Sequence, residues 1–212
     1  LVVVPRGYPG AGEDTGAPKV VVMNGGHPHI DDVSFAAGRA LLRYVDAQPE
    51  ITFLISGGGS ACVEVPLEPF FSERDLREVN VRLIGAGIPI AQMNVVRKHL
   101  SAIKGGRLAA RVRSRSVSLI YSDVGTGDLA SVASGPTLPD GSTRTEAAAI
   151  LERVGGCDRI VAKLRNEEVP ETVRDIRNTT AMLVADNNTL VETAAEMIAA
   201  AEWEPVRWTG QI

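Results

Sequence analysis

Short apolar runs rich in β-branched residues alternate along this chain with longer segments whose apolar residues recur every three or four positions. The runs Leu1–Val4, Lys19–Met23, Ile51–Ile55, Val117–Tyr121, Ala181–Ala185 and Pro205–Trp208 predict strands. Several are apolar throughout, as strands covered on both faces are. Between them, Asp31 or Asp32 can cap a helix with Val33, Ala36, Ala37, Ala40, Leu41 and Val45 on one face. Ser72-Glu-Arg-Asp75 reads as a capping box before Leu76, Val79 and Leu83. Thr143-Arg-Thr-Glu146 reads as another, before a helix that Gly155-Gly156 stops. Asn187 or Asn188 can cap Leu190–Ala201, Pro5–Pro18 reads as a loop, and the charged stretch Asp158–Asn178 predicts an exposed excursion. Alternating strands and helices predict an α/β layer sandwich with a mostly parallel sheet, whose ligands gather at the carboxyl ends of the strands.

Composition narrows the class. The 212 residues suffice for one large domain, and 44% hydrophobic with 23% charged residues is ordinary for a globular protein. Aromatics are only 4%, so the core is aliphatic. A net charge of −4 argues against general nucleic-acid binding, which rests on phosphate neutralisation. No apolar run approaches the ~20 residues of a membrane helix. Cys62 and Cys157 form no ligand-spaced pair and read as reduced thiols of a cytoplasmic protein. Both ends of the chain look cut, so we expect a fragment.

The charge distribution adds chemistry. Val79–Ser122 holds no acidic residue and eight basic ones, which leaves 14 basic against 26 acidic residues elsewhere. Before this segment lies Ser56-Gly-Gly-Gly-Ser60, and after it Ser122-Asp-Val-Gly-Thr-Gly-Asp128. Gly57, Gly58 and Gly59 let backbone N–H groups approach a phosphate, and Ser60 can open the next helical turn. The pattern is neither a Walker A loop, a dinucleotide G-x-G-x-x-G nor a nucleophile elbow. Arg97, Lys98 and Lys104 can balance phosphate charge, Arg as a fork and Lys as a point charge. Arg97 and Lys104 share a face if their helix is unbroken. Asp123 and Asp128 are candidate Mg²⁺ ligands or acceptors of a hydroxyl proton. Each also has a structural reading as a turn aspartate. Ser134-Gly-Pro-Thr137 can extend the anion rim or form a simple turn. His27-Pro-His29 reads as a strand-to-helix connection rather than a metal site, and His99 as structural.

Taken in order, Gly26-His27-Pro28 with Asp31, Ser56–Ala61, Asn94–Gly106, Ser122-Asp123-Val124 with Gly127-Asp128, and Ser134–Thr137 with Pro139-Asp140 resemble the glycerate 2-kinases, the two-domain kinases with a carboxyl-terminal MOFRL domain that are often called hydroxypyruvate reductases. The resemblance covers essentially the whole chain. It implies a Rossmann-like three-layer α/β/α domain, with the family's amino-terminal lysine segment and MOFRL domain both missing. It implies ATP- and Mg²⁺-dependent phosphorylation of D-glycerate at its 2-hydroxyl, in a cleft that the MOFRL domain completes. Carried onto these residues, Gly57–Ser60 would cradle phosphate, and Asn94, Arg97 and Lys98 would clamp substrate or phosphate. Lys104 and Asp123 would be catalytic, with Asp123 and Asp128 holding the metal. Two alternatives stay open: a hydroxypyruvate reductase, and a non-catalytic module that binds a phosphorylated metabolite.

Overall fold

The computed structural model describes residues 1–7, 21–123 and 128–206. Among them, β1 (Val2–Pro5) pairs with β2 (Val22–Gly25). Helix α1 (Asp32–Ala47) leads to β3 (Glu50–Ile55), and a single turn, α2 (Gly59–Cys62), follows. Helices α3 (Glu73–Gly85), α4 (Ile90–Leu100) and α5 (Arg107–Arg111) precede β4 (Arg115–Ser122). A kinked 3₁₀ segment, Leu129–Ser134, is followed by α6 (Arg144–Val154), α7 (Asp158–Arg165), β5 (Thr179–Asp186) and α8 (Asn187–Ala200).

Every strand pairing is parallel, as the strand–helix alternation predicts, and helices flank the strands in an α/β fold. The pairings fall into two ladders, β1-β2 and β3-β4-β5. Between β1 and β3 lies an apolar cavity of about 320 Å³, lined by Leu1–Val3 and Ile51–Ile55 with Leu41, Ile103 and Leu108. The predicted strands lie within a few residues of the observed ones, except Pro205–Trp208. Pro205 and Val206 carry no strand, and the remainder lies outside the described residues. For β4 and β5 the expectation of strands covered on both faces is corrected. In β4, buried Ser116, Ser118, Ile120 and Ser122 alternate with exposed Arg115, Val117 and Tyr121, so one face is covered. In β5, Met182, Leu183 and Val184 are all exposed.

The larger core is built by helices. Phe35 of α1, Leu76, Val79 and Leu83 of α3, Val96 and Leu100 of α4, Leu151 of α6, and Ile160 and Leu164 of α7 interlock there. A smaller core joins Val45 of α1 and Phe53 of β3 to Ile103, Leu108 and Val112. Capping sets the helix starts. Asp31 receives the Ser34 N–H at 2.8 Å, and Ser72 and Thr143 close the two predicted boxes with Asp75 and Glu146. Gly155 ends α6, as the glycine pair predicts.

Two local expectations are corrected, and the condition of an unbroken basic helix is answered by a break at Gly105-Gly106. Asp186, rather than Asn187 or Asn188, caps α8, because its carboxylate receives the Thr189 N–H at 2.8 Å. The charged stretch from Asp158 contains α7, whose Ile160, Val161 and Leu164 are buried while its charges face outward. The basic segment is not one helix. It stops at Leu100 and resumes at Arg107, with Gly105 at φ 58° and Gly106 at φ 80° between. A side chain there would be strained, and it would also press on Thr172 beside Gly105 and on the Leu138 carbonyl beside Gly106.

Candidate active site

The carboxyl ends of β3 and β4 open into a cleft of about 320 Å³, where a few polar and charged groups converge on an otherwise apolar lining. Its walls are His27 and Pro28 before α1, Gly57, Gly58 and Ser60 after β3, Met93, Asn94 and Arg97 on α4, Asp123 after β4, and Ser131–Ala133. Six of the sequence-predicted site residues therefore meet in one place: Gly57, Gly58, Ser60, Asn94, Arg97 and Asp123. Gly59 opens α2 behind them, where an added Cβ would meet Ala133 at 3.5 Å.

Two close fits build the floor. Gly57 and Asp123 belong to neighbouring strand ends, and a Cβ on Gly57 would overlap the Asp123 carboxylate. Glycine here makes room for an acid. The second fit is a hydrogen-bonded file: Ser60 Oγ lies 2.7 Å from Ser134 Oγ, which donates to Asn94 Oδ1 at 2.9 Å. Ser134 is fully buried. It belongs to a left-handed run, Ala133 at φ 49°, Ser134 at 62° and Gly135 at 59°. For residues with a Cβ this conformation costs about 1–2 kcal/mol each. Gly105 and Gly106 hold the run by donating to the Ser134 and Gly135 carbonyls at 3.2 and 2.8 Å.

Arg97 carries the cleft's positive charge. Its Nη2 donates to Asn80 Oδ1 at 3.0 Å, and its buried Nε has no protein acceptor. Among the described residues it makes no ion pair. Burial lowers its affinity for a proton, and the field of Glu64 opposes that. Guanidinium stays protonated in proteins, so this is a partly buried cation short of an acid.

The other predicted cations are turned away. Lys98 Nζ lies 2.9 Å from Asp140, both side chains buried. Burial pushes the Asp140 carboxyl up, but bonds from Ser142 and Lys98 outweigh it and hold the group below its ordinary value. Lys104 is 1% exposed and pairs with Glu64, 2% exposed, which also accepts from Ser101 Oγ. Burial pulls the Lys104 ammonium down and Glu64 opposes it. Neither Lys98 nor Lys104 lines the cleft, so the three-cation clamp is not assembled there. Arg107 ties α5 to its neighbours through the Lys98, Pro170 and Glu171 carbonyls, and burial lowers it to about 10.

Asp128 caps the 3₁₀ segment, accepting from Ala130 N at 3.0 Å and Ser131 Oγ at 2.6 Å, and it is not in the cleft lining. Residues Val124–Gly127 lie outside the described residues. Among the described residues, no group of three or more His, Cys, Asp or Glu side chains could by itself hold a metal. His99 is buried between the Val95 carbonyl and Glu171, in the structural role expected of it. Both cysteines are free and buried. Sequence reasoning missed His27 at the rim, the Asn80 partner of Arg97, and the acids Glu64 and Asp140 that take the lysines. His27 and Asp140 stand in the motifs Gly26-His27-Pro28 and Pro139-Asp140, but their roles, like those of Asn80 and Glu64, come from tertiary packing.

Comparison with known proteins identifies the family and the fold. Residues 1–167 match the family described as a domain of unknown function, DUF4147. A glycerate 2-kinase of Sulfurisphaera tokodaii is 35% identical over 200 residues, which is 93% of this chain and 47% of that protein. A putative hydroxypyruvate reductase of Agrobacterium vitis is 41% identical over 143 residues, 66% of this chain and 32% of that protein. The crystal structure of a glycerate kinase from Thermotoga maritima superposes with a TM-score of 0.79 at 31% identity, covering 94% of this chain and 48% of that one. The chain thus spans about half the length of these relatives or less. It belongs to the DUF4147 family, in the company of the glycerate 2-kinases that its motifs resemble.

Proposed function

We propose that these residues form one wall of a glycerate 2-kinase, which transfers a phosphoryl group from ATP to the 2-hydroxyl of D-glycerate and releases 2-phosphoglycerate. The observation that carries this reading is Arg97, a cation without an acid partner in a cleft that also holds a carboxylate and a glycine turn. Arg97 neutralises phosphate or the glycerate carboxylate, and Gly57–Gly59 bring backbone N–H groups within reach of phosphate oxygens. Asn94 fixes the wall behind them. Asp123 supplies one carboxylate, toward the attacking hydroxyl or toward Mg²⁺. A kinase Mg²⁺ is commonly held by one or two carboxylates with substrate phosphates, so Asp123 fits that role, and bound there the ion would offset phosphate charge. Asp128, committed to a helix cap, fits it less well. Positioning and charge stabilisation then do the catalysis. Lys98 and Lys104 stabilise the frame of α4 and the turn after it.

The remainder of the protein, with the MOFRL domain, closes the other side of the cleft in this reading, so these residues alone turn over little. A cytoplasmic location belongs to this reading, and the free thiols of Cys62 and Cys157 support it. The test uses the complete protein with ATP, Mg²⁺ and D-glycerate, coupled to enolase alone. Enolase consumes 2-phosphoglycerate, so a signal identifies both the kinase and the 2-position. Arg97→Ala should lower kcat/KM by roughly 100-fold, the scale of one lost charge-stabilising donor. NADH oxidation with hydroxypyruvate and no enolase signal would replace the reading with a reductase. ATP binding without turnover of either substrate would replace it with a binding module.

A further inference from the structure

The direction of the hydrogen bonds behind the cleft fixes what Ser60 can offer a ligand. Asn94 Nδ2 faces the Ser131 carbonyl at 3.5 Å, which orients the amide with its oxygen toward Ser134. An amide oxygen carries no hydrogen, so Ser134 donates its single hydrogen there. Ser134 is fully buried, so water cannot stand in for either neighbour. At 2.7 Å from Ser134, Ser60 must therefore be the donor of that second bond. Its one hydrogen points inward, and Ser60 has no other hydrogen-bond partner among the described residues.

We infer that the Ser60 hydroxyl meets the ligand only as a hydrogen-bond acceptor, and that this side chain selects a ligand hydroxyl instead of cradling a phosphate oxygen. An ionised phosphate or carboxylate oxygen is itself an acceptor, and two acceptors in contact repel. A hydroxyl donates. With Arg97 on the same wall supplying donors to an anionic end, the cleft reads both halves of a small hydroxy acid: anion at Arg97, hydroxyl at Ser60. This deepens the kinase reading and rests on it for the ligand class. It also moves Ser60 from the phosphate cradle expected from sequence to substrate selection. The left-handed backbone at Ser134 is what turns its hydroxyl between the two partners.

The experiment measures calorimetric binding of D-glycerate, propionate and inorganic phosphate to the complete protein, its Ser60→Ala variant and its Ser134→Ala variant. Propionate keeps the carboxylate and lacks the hydroxyls. Ser60→Ala should reduce the preference for D-glycerate over propionate by about fivefold to tenfold, the size of one hydrogen bond, and leave propionate and phosphate within about twofold of wild type. Ser134→Ala frees the Ser60 hydrogen to swing outward, and phosphate should then bind several-fold tighter. An unchanged glycerate-to-propionate ratio in Ser60→Ala, or an equal loss for all three ligands, overturns the proposal. So does phosphate binding that weakens in Ser134→Ala, with folding confirmed by an unchanged melting profile. Enolase-coupled turnover is read separately. A kinase that keeps its hydroxyl preference in Ser60→Ala refutes this inference alone, whereas loss of that preference in a protein without kinase activity refutes the kinase reading alone.

Discussion

Gly57 shows how a single residue can be chosen for what it leaves out. The space its side chain would fill belongs to the Asp123 carboxylate, so the pair works as one unit drawn from two strands. Gly57→Ala must displace one of them. We expect about 1–3 kcal/mol of destabilisation in urea unfolding, with loss of phosphate affinity beyond that seen for Gly85→Ala, where an added Cβ meets nothing. At this scale the sequence was legible where chemistry follows from residue type beside a strand end, as for Gly57, Ser60 and Asp123. It was silent about Lys98 and Lys104. Their charge and spacing suited a ligand, but the acids that claim them stand 42 and 40 positions away and become neighbours only on folding.

Between elements, the break separating α4 from α5 is organised by a buried ion pair. Lys104 and Glu64 fasten the turn that carries Gly105 and Gly106, and that turn in turn holds the left-handed run at Ser134. A buried pair contributes little over well-packed apolar residues, yet losing one partner strands a charge. Lys104→Met should therefore destabilise by about 3–5 kcal/mol in urea unfolding, and Glu64→Leu added to it should recover most of that. If Lys104 instead served a ligand, Lys104→Met would lose activity with stability intact. Helix starts were legible because a capping box is local: Ser72 with Asp75 and Thr143 with Glu146 stand three positions apart. The α7 helix was obscured because its three buried apolar residues are outnumbered by charged ones on the exposed side.

Over the whole molecule, six separate stretches of chain supply the cleft among the described residues, and the strand–helix alternation, with the family motifs, announced that they would converge. Parallel strands place their carboxyl ends together, which made the location of the site readable before its geometry. The split between the β1-β2 and β3-β4-β5 ladders was not readable, because edge pairing depends on which strand lies beside which in space. That split gives these 212 residues a colloidal character of their own. Among the described residues, one edge each of β1 and β3 has no ladder partner and is a template for a further strand, and β5 adds exposed Met182, Leu183 and Val184 in the second ladder. Prepared alone, the chain should assemble with itself. Light scattering should rise steeply with concentration, and Val184→Lys, which sets a charge on exposed β5 at the edge of its ladder, should raise the concentration at which it begins.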